Sequence, residues 1–219
     1  MNNRNNFKPR AAIFDMDGLM LDTERPMVKV WMNAGTIIGR NITEEMAIRT
    51  IGLNGEDIRK LCLNEFGADF PYDKFEKILL RLFDEEFEKG IVLKPGLLEI
   101  LNHLKSLGIP MAVATSTYRK AAYRKLEIAG IKDYFSFSVC GDEIARGKPA
   151  PDIFLKAVEK LGIPAADCVG FEDSPAGLTA LAAAGIASVF IRDLVEPPQK
   201  ILATVWRRLD NLAEAVTLF

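Results

Sequence analysis

Residues 11–24 read Ala-Ala-Ile-Phe-Asp-Met-Asp-Gly-Leu-Met-Leu-Asp-Thr-Glu. The apolar run at 11–14 ends in two carboxylates, Asp15 and Asp17, with Gly18 just after. That is the character of a buried strand that delivers acid groups to its C-terminal tip and then meets a backbone free to turn sharply. Carboxylates held close together repel and shift each other's pKa unless a cation or a reaction partner balances them. Asp and Gly are also ordinary turn residues, so the stretch by itself reads equally as a turn or as a site.

Outward from it, residues 22–93 carry no strand signal and read as a small all-helical unit. Asp22 or Thr23 is expected to cap a helix running to about residue 37, with Pro26 tolerated in its first turn. Thr43 starts a second helix ending near Gly52, and Asn54 starts a third over 56–66 that Gly67 stops. Pro71 opens a fourth, closed by Gly90. In that last helix Phe75, Ile78, Leu79, Leu82, Phe83 and Phe87 keep helical spacing, while Asp84, Glu85, Glu86 and Lys89 form a solvated face.

From Pro95 the pattern alternates. Helices are expected over 95–108, 118–129, 151–161 and 175–184, and strands over 110–114, 135–139, 168–171 and 187–191, with Val205 in a further strand. Such alternation means an α/β fold, a parallel sheet with helices on both faces. The first strand belongs to that sheet by character, so the helical unit is an insertion. The expected division is 1–21 and 94–219 for the sheet domain and 22–93 for the insert.

The chain has 219 residues, 49% of them hydrophobic, which supports a proper core. With 28 basic and 30 acidic residues its net charge is −2, so electrostatics make no case for nucleic acid or an acidic membrane surface. No apolar run is long enough to span a membrane. Residues 1–10 are Asn-rich without an apolar signal core and are expected to be a frayed tail. Cys62, Cys140 and Cys168 are far apart, odd in number and without a Cys-x-x-Cys, as in a reducing cytoplasm. The only histidine, His103, lies in an expected helix, which makes Ser-His-Asp or Cys-His chemistry a poor fit. Nothing demands more than a monomer.

In open parallel sheets ligands bind beyond the carboxyl ends of the strands. Three apolar strands here end in polar chemistry: Asp15/Asp17, Thr115/Ser116 and Glu172/Asp173. A fourth cluster, Arg146-Gly147-Lys148-Pro149, falls on the same edge. Each has a plain alternative, since Thr115 to Thr117 and Glu172 to Ser174 suit helix starts and Lys148 suits a solvated loop. Convergence of all four on one edge points to a site. The hard oxygens of Asp15, Asp173 and Glu172 suit magnesium. A magnesium-plus-lysine site with hydroxyl and backbone donors suits a phosphoryl group. There is no Gly-x-x-x-x-Gly-Lys-Ser/Thr loop. An aspartate is then the best candidate to attack phosphorus, with a second carboxylate to move protons.

Four motifs stand in order: Phe-Asp-Met-Asp-Gly-Leu-Met-Leu-Asp-Thr-Glu (14–24), Thr-Ser-Thr (115–117), Gly-Lys-Pro-Ala-Pro-Asp-Ile-Phe (147–154) and Gly-Phe-Glu-Asp-Ser-Pro-Ala-Gly (170–177). Together they resemble the haloacid dehalogenase-like hydrolase superfamily, in its branch of β-phosphoglucomutase-like phosphatases with a helical cap. The resemblance runs from about residue 11 to 193. It implies a Rossmann-like core with residues 22–93 as the cap. It further implies that Asp15 is nucleophile and magnesium ligand, and that Asp17 is general acid/base and lends the metal its backbone carbonyl. Thr115 and Ser116 would bind the transferring phosphoryl group, Lys148 would neutralise charge on nucleophile and phosphate, and Asp173, with Glu172 directly or through water, would ligate magnesium.

The resemblance also separates chemistries. Dehalogenases lack the second aspartate as acid, which disagrees with Asp17 and the Glu172-Asp173 pair. Phosphonoacetaldehyde hydrolases use a cap lysine in a motif that is missing here. β-Phosphoglucomutases carry a cap histidine where this chain has Met27, and a cap arginine where it has Gly55. The reading is therefore a magnesium-dependent phosphatase of a small metabolite, a sugar phosphate or nucleoside monophosphate, working through an aspartyl-phosphate. A phosphomutase and a non-catalytic phosphometabolite-binding protein are the alternatives. Met27, Trp31 and Asn54 are the cap positions expected to face substrate.

Overall fold

The computed structural model describes residues 7–51, 53 and 55–219. The expected helix start at Asn54, its substrate-facing role and most of the expected frayed tail fall outside the described residues.

Strand β1 (Ala11–Phe14) is wholly buried, as an apolar run flanked on both sides by other strands must be. With β2 (Met111–Ala114), β3 (Phe137–Val139), β4 (Cys168–Glu172), β5 (Ala187–Ile191) and β6 (Arg207–Leu209) it forms a parallel sheet, ordered β3-β2-β1-β4-β5-β6 among the described residues. Phe14 lies opposite Val113 on one side and Phe171 on the other, so β1 sits in the middle, where the strand order reverses. Alternation then splits the core in two. Ala12 and Phe14 join Val113, Phe171 and Val189 on one face; Ala11 and Ile13 join Ala114, Val139 and Cys168 on the other. Helices α5 (Leu97–Ser106) and α6 (Arg119–Ile128) cover the first face, and α7 (Asp152–Leu161) and α8 (Pro175–Ala183) the second. Each fully buried Phe, Ile or Leu in these layers contributes roughly 1.5–3 kcal/mol of transfer free energy.

Between β1 and α5 stands the helical block: α1 (Glu24–Ile37), α2 (Glu44–Ile48), α3 (Gly55–Phe66) and α4 (Tyr72–Phe87). It packs around its own cluster, with Trp31 edge-on to Phe75 at 5.1 Å and Phe70 edge-on to Phe75 at 5.3 Å. The two connections to the sheet run antiparallel. Leu21 bridges Leu93, the Asp22 N–H donates to Val92 O at 2.9 Å, and the Lys94 N–H donates to Met20 O at 2.9 Å.

Three local expectations are corrected. Thr43 does cap α2, accepting from the Met46 N–H at 3.2 Å, but α2 ends at Ile48 rather than near Gly52. Thr23 precedes α1 without capping it: its backbone is itself helical (φ −97°, ψ −19°), which turns the hydroxyl away from the first-turn N–H groups. The sixth strand is Arg207–Leu209, not at Val205, whose side chain packs against Leu178, Phe190 and Leu202. The tail contributes α9 (Gln199–Leu202) and a 3-10 turn at Leu212–Leu218 that buries Leu212 and Ala215 against the first face. Among the described residues no helix is long and apolar enough to cross a membrane.

Candidate active site

The chain leaves β1 at Asp15, whose N–H is held by Phe171 O at 3.1 Å. Its carboxylate accepts from the Lys148 ammonium, Nζ to Oδ1 2.5 Å. The same ammonium donates to Glu172 Oε1 at 2.5 Å and to Ala114 O at 3.1 Å, so one lysine ties together the tips of β1, β2 and β4. Glu172 Oε2 accepts from the N–H groups of Asp173 (3.1 Å) and Ser174 (3.0 Å) and from the Ser174 hydroxyl (2.9 Å). Ser174 in turn accepts from the Gly177 N–H at 3.0 Å and caps α8. Both glycines here are sterically required. A methyl at Gly177 would overlap the Glu172 carboxylate, and one at Gly18 (φ +81°) would overlap Asp173.

Asp15, Lys148, Glu172 and Asp173 are all buried. Burial pushes the Asp15 carboxyl up to about 7, with Lys148 pulling the other way and Glu172 adding to the rise. Burial and then Glu172 and Asp15 also hold Asp173 well above the usual carboxylate range. Lys148 stays charged: burial opposes its ammonium, but Asp15 and Glu172 together outweigh it. Asp15, Glu172 and Asp173 offer carboxylate oxygens within 4.8 Å of one another. When all three acids are ionised they outnumber the Lys148 ammonium, an excess that a divalent cation would balance. The all-oxygen donor set fits a hard cation.

Asp17 stands apart from that cluster. Oδ1 accepts from Lys125 Nζ at 2.6 Å and from the Thr23 hydroxyl at 2.9 Å, and Oδ2 from the Thr117 hydroxyl at 2.7 Å. Burial raises its pKa, but the Lys125 charge and these donors prevail and hold the carboxyl below its usual value. Lys125 Nζ also sits 4.9 Å from the centre of the Phe87 ring, at the end of α4. Next to Asp17, Glu24 opens α1 as a buried acid, pushed up to about 8 by burial and by the Asp17 charge.

These groups floor a cavity of about 260 Å³ between the sheet edge and the helical block. The structure brings Asp15, Asp17, Thr115, Ser116, Lys148 and Asp173 to its wall, with Glu172 bonded to Lys148 beneath. Met27 and Trp31 also line it. Arg146, from the same loop as Lys148, instead pairs with Asp152 at 2.9 Å and is not part of the wall. Thr115 to Thr117 are not a helix cap: Tyr118 precedes α6 with no side-chain cap, and the Thr117 hydroxyl goes to Asp17. Ser174 is one.

Sequence reasoning missed Lys125, Glu24 and the hydroxyls of Thr23 and Thr117 as partners of the site. One signal for Lys125 was legible. It shares the buried face of α6 with Ala122 and Leu126, at spacings of three and one, and a lysine on an apolar stripe needs a buried partner. Glu24 gave none, because an acid in a first helical turn is ordinary.

The Asp17 pairing gives a testable consequence. Lys125→Met removes the charge that keeps Asp17 ionised, so the Asp17 pKa rises. Any step that needs ionised Asp17 then requires higher pH, and where that step limits turnover the acidic limb of the kcat profile should move upward. Rate at pH 6 should fall by about ten- to a hundredfold. A profile of unchanged shape would disconnect Lys125 from Asp17's proton state.

A family model described as haloacid dehalogenase-like hydrolase matches residues 9–185. A phosphorylated carbohydrates phosphatase of Thermotoga maritima is 31% identical over 180 residues, covering 82% of this chain and 83% of that one. A β-phosphoglucomutase of Bacillus subtilis is 32% identical over 187 residues, covering 82% of each. Among solved structures, CbbY from Rhodobacter sphaeroides in complex with phosphate superposes with a TM-score of 0.80 at 25% identity, over 94% of this chain and 96% of the other.

Proposed function

The chain belongs to the haloacid dehalogenase-like hydrolase family, and from that premise we propose that it is a magnesium-dependent phosphatase of a small phosphorylated metabolite, a sugar phosphate or nucleoside monophosphate. The observation that carries this reading is the buried cluster of Asp15, Lys148, Glu172 and Asp173, with Asp17 held separately beside it. Support also comes from the relative named as a phosphatase of phosphorylated carbohydrates and from the phosphate bound by a structural relative.

In this proposal an Asp15 carboxylate oxygen attacks phosphorus. The new bond joins Asp15 to phosphorus, the bond from phosphorus to the alcohol oxygen breaks, and Asp17 gives the leaving oxygen a proton. In the second half Asp17 takes a proton from a water whose oxygen attacks the same phosphorus, releasing phosphate and restoring Asp15. The ionised Asp17 held by Lys125 and two threonines suits that second role. Lys148 offsets charge on Asp15 and on the phosphoryl oxygens, and Thr115 and Ser116 supply hydrogen bonds to them. Magnesium held by Asp15, the Asp17 carbonyl and Asp173, with Glu172 at its edge, would draw negative charge off the phosphoryl group. Residues 22–93 act as a cap that closes over residues 1–21 and 94–219, excluding bulk water.

The test is phosphate release from a panel of phosphomonoesters with and without magnesium. Release that requires magnesium and stops on chelation is the expected result. A panel with no release under either condition would sink the reading. The mutase relative favours a second reading at similar identity. Isomerisation of a sugar phosphate in the presence of trace bisphosphate, without free phosphate, would establish it.

A further inference from the structure

The cavity has two walls of different chemistry. The sheet side carries Lys125 and Lys148, and both ammoniums are already committed, to Asp17 and to Asp15 with Glu172. On the side built by the helical block, Met27, Ile58, Leu79 and Phe83 make an apolar surface. Among the described residues the block's only charged groups on that wall are Glu24, at its base beside Asp17, and Glu76 on α4. Its arginines pair elsewhere: Arg49 with Glu65 at 2.9 Å, Arg59 with Asp73 at 2.5 Å, Arg81 with Glu85 at 2.9 Å. None of them lines the cavity.

We infer that Glu76 is a specificity-determining residue, selecting phosphomonoesters whose alcohol half is uncharged and hydroxyl-bearing and rejecting those with a second phosphate or a carboxylate. The inference rests on the phosphatase reading, which puts the phosphoryl group against the sheet-side wall. The rest of the molecule then reaches toward α4. An anion there meets the like charge of Glu76, while Arg59, the cation within reach of that carboxylate, is paired with Asp73. A diol meets a carboxylate that already takes a hydrogen bond from the Tyr72 hydroxyl and still has lone pairs for two donated hydroxyls, with apolar walls for the carbon skeleton. Discrimination arises as much from the repulsive group as from the attractive one.

The test compares a hexitol monophosphate and a ribonucleoside monophosphate with a hexose bisphosphate and a phosphorylated hydroxy acid, with magnesium present. Each is measured twice: as kcat/KM with the natural chain, and as affinity by calorimetry with Asp15→Asn protein. One of the two uncharged-alcohol esters should exceed both competitors that carry a second anionic group by about tenfold or more in each measurement. Which one leads identifies the polyol or the nucleoside as the source of the hydroxyls. Glu76→Gln should bring the ratio close to one, and Glu76→Lys should invert it. Glu76 is exposed, so both variants should unfold at the natural chain's temperature. A ratio unmoved by both substitutions, or a natural chain that prefers the bisphosphate, overturns the inference. Selective binding without turnover would instead sink the phosphatase reading and leave the role of Glu76 standing.

Discussion

Asp15→Asn should lower turnover of any phosphomonoester, a simple aryl phosphate included, by roughly four orders of magnitude while the chain stays folded. The amide keeps the size of the carboxylate but lacks its nucleophilic oxygen, and two neighbouring carboxylates are committed to other donors. Asp17 is held by Lys125, Thr23 and Thr117, and Glu172 by four donors including Lys148. The fold should survive because the substitution removes a charge from a crowded buried cluster rather than adding one. The carboxyl of Asp15 is already pushed up to about 7 by burial. In metal-free buffer above neutral pH the variant should unfold no earlier than the natural chain. The measurement is phosphate release paired with thermal unfolding. Activity within tenfold of the natural chain would remove Asp15 from the nucleophile's role.

Lys148→Met should have the largest effect on stability. It leaves Asp15 and Glu172, both buried, facing each other across the space where one ammonium had bonded to both at 2.5 Å. Removing one partner from a buried ionic cluster costs about 3–5 kcal/mol, and a domain of this size loses about 2–4 °C in Tm per kcal/mol. The loss has a sign with pH. Without the ammonium the folded-state pKa of Asp15 rises further above its unfolded value. A raised acid is tolerated below its unfolded pKa and costs stability as pH climbs through the folded one. The gap between variant and natural chain should therefore be small near pH 5 and widest near pH 8. Adding Glu172→Gln should recover part of the Tm but none of the activity. A pH-independent gap would mean that lost packing around Phe154, over which Lys148 lies at 4.9 Å, dominates instead.

Most elements were legible because each is a local pattern. The β1 run, the Gly stops and the polar residues at strand tips are short stretches whose periodicity and breakers do not depend on the rest of the chain. The errors fell where tertiary packing overrode a local preference. Thr23 looked like a cap and became a partner of Asp17. Val205 looked like a strand residue and became filler over Leu178 and Phe190. In the site, the residues that the motifs name were legible because chemistry and strand ends coincide in sequence.

The sequence by itself determined which acids and which lysine stand at the ends of which strands, since a strand's tip and its polar residue are adjacent in the chain. Only the tertiary structure decided what each acid faces. Lys125 reaches Asp17 across 108 positions and Lys148 reaches Asp15 across 133, and a pairing between distant helices and strands leaves no local period to read. The stretch at 11–24 therefore showed two aspartates with equal claims. The sheet and the helical block made them different, placing one in a cluster of three carboxylates around the Lys148 ammonium and the other beside the Lys125 ammonium and two hydroxyls.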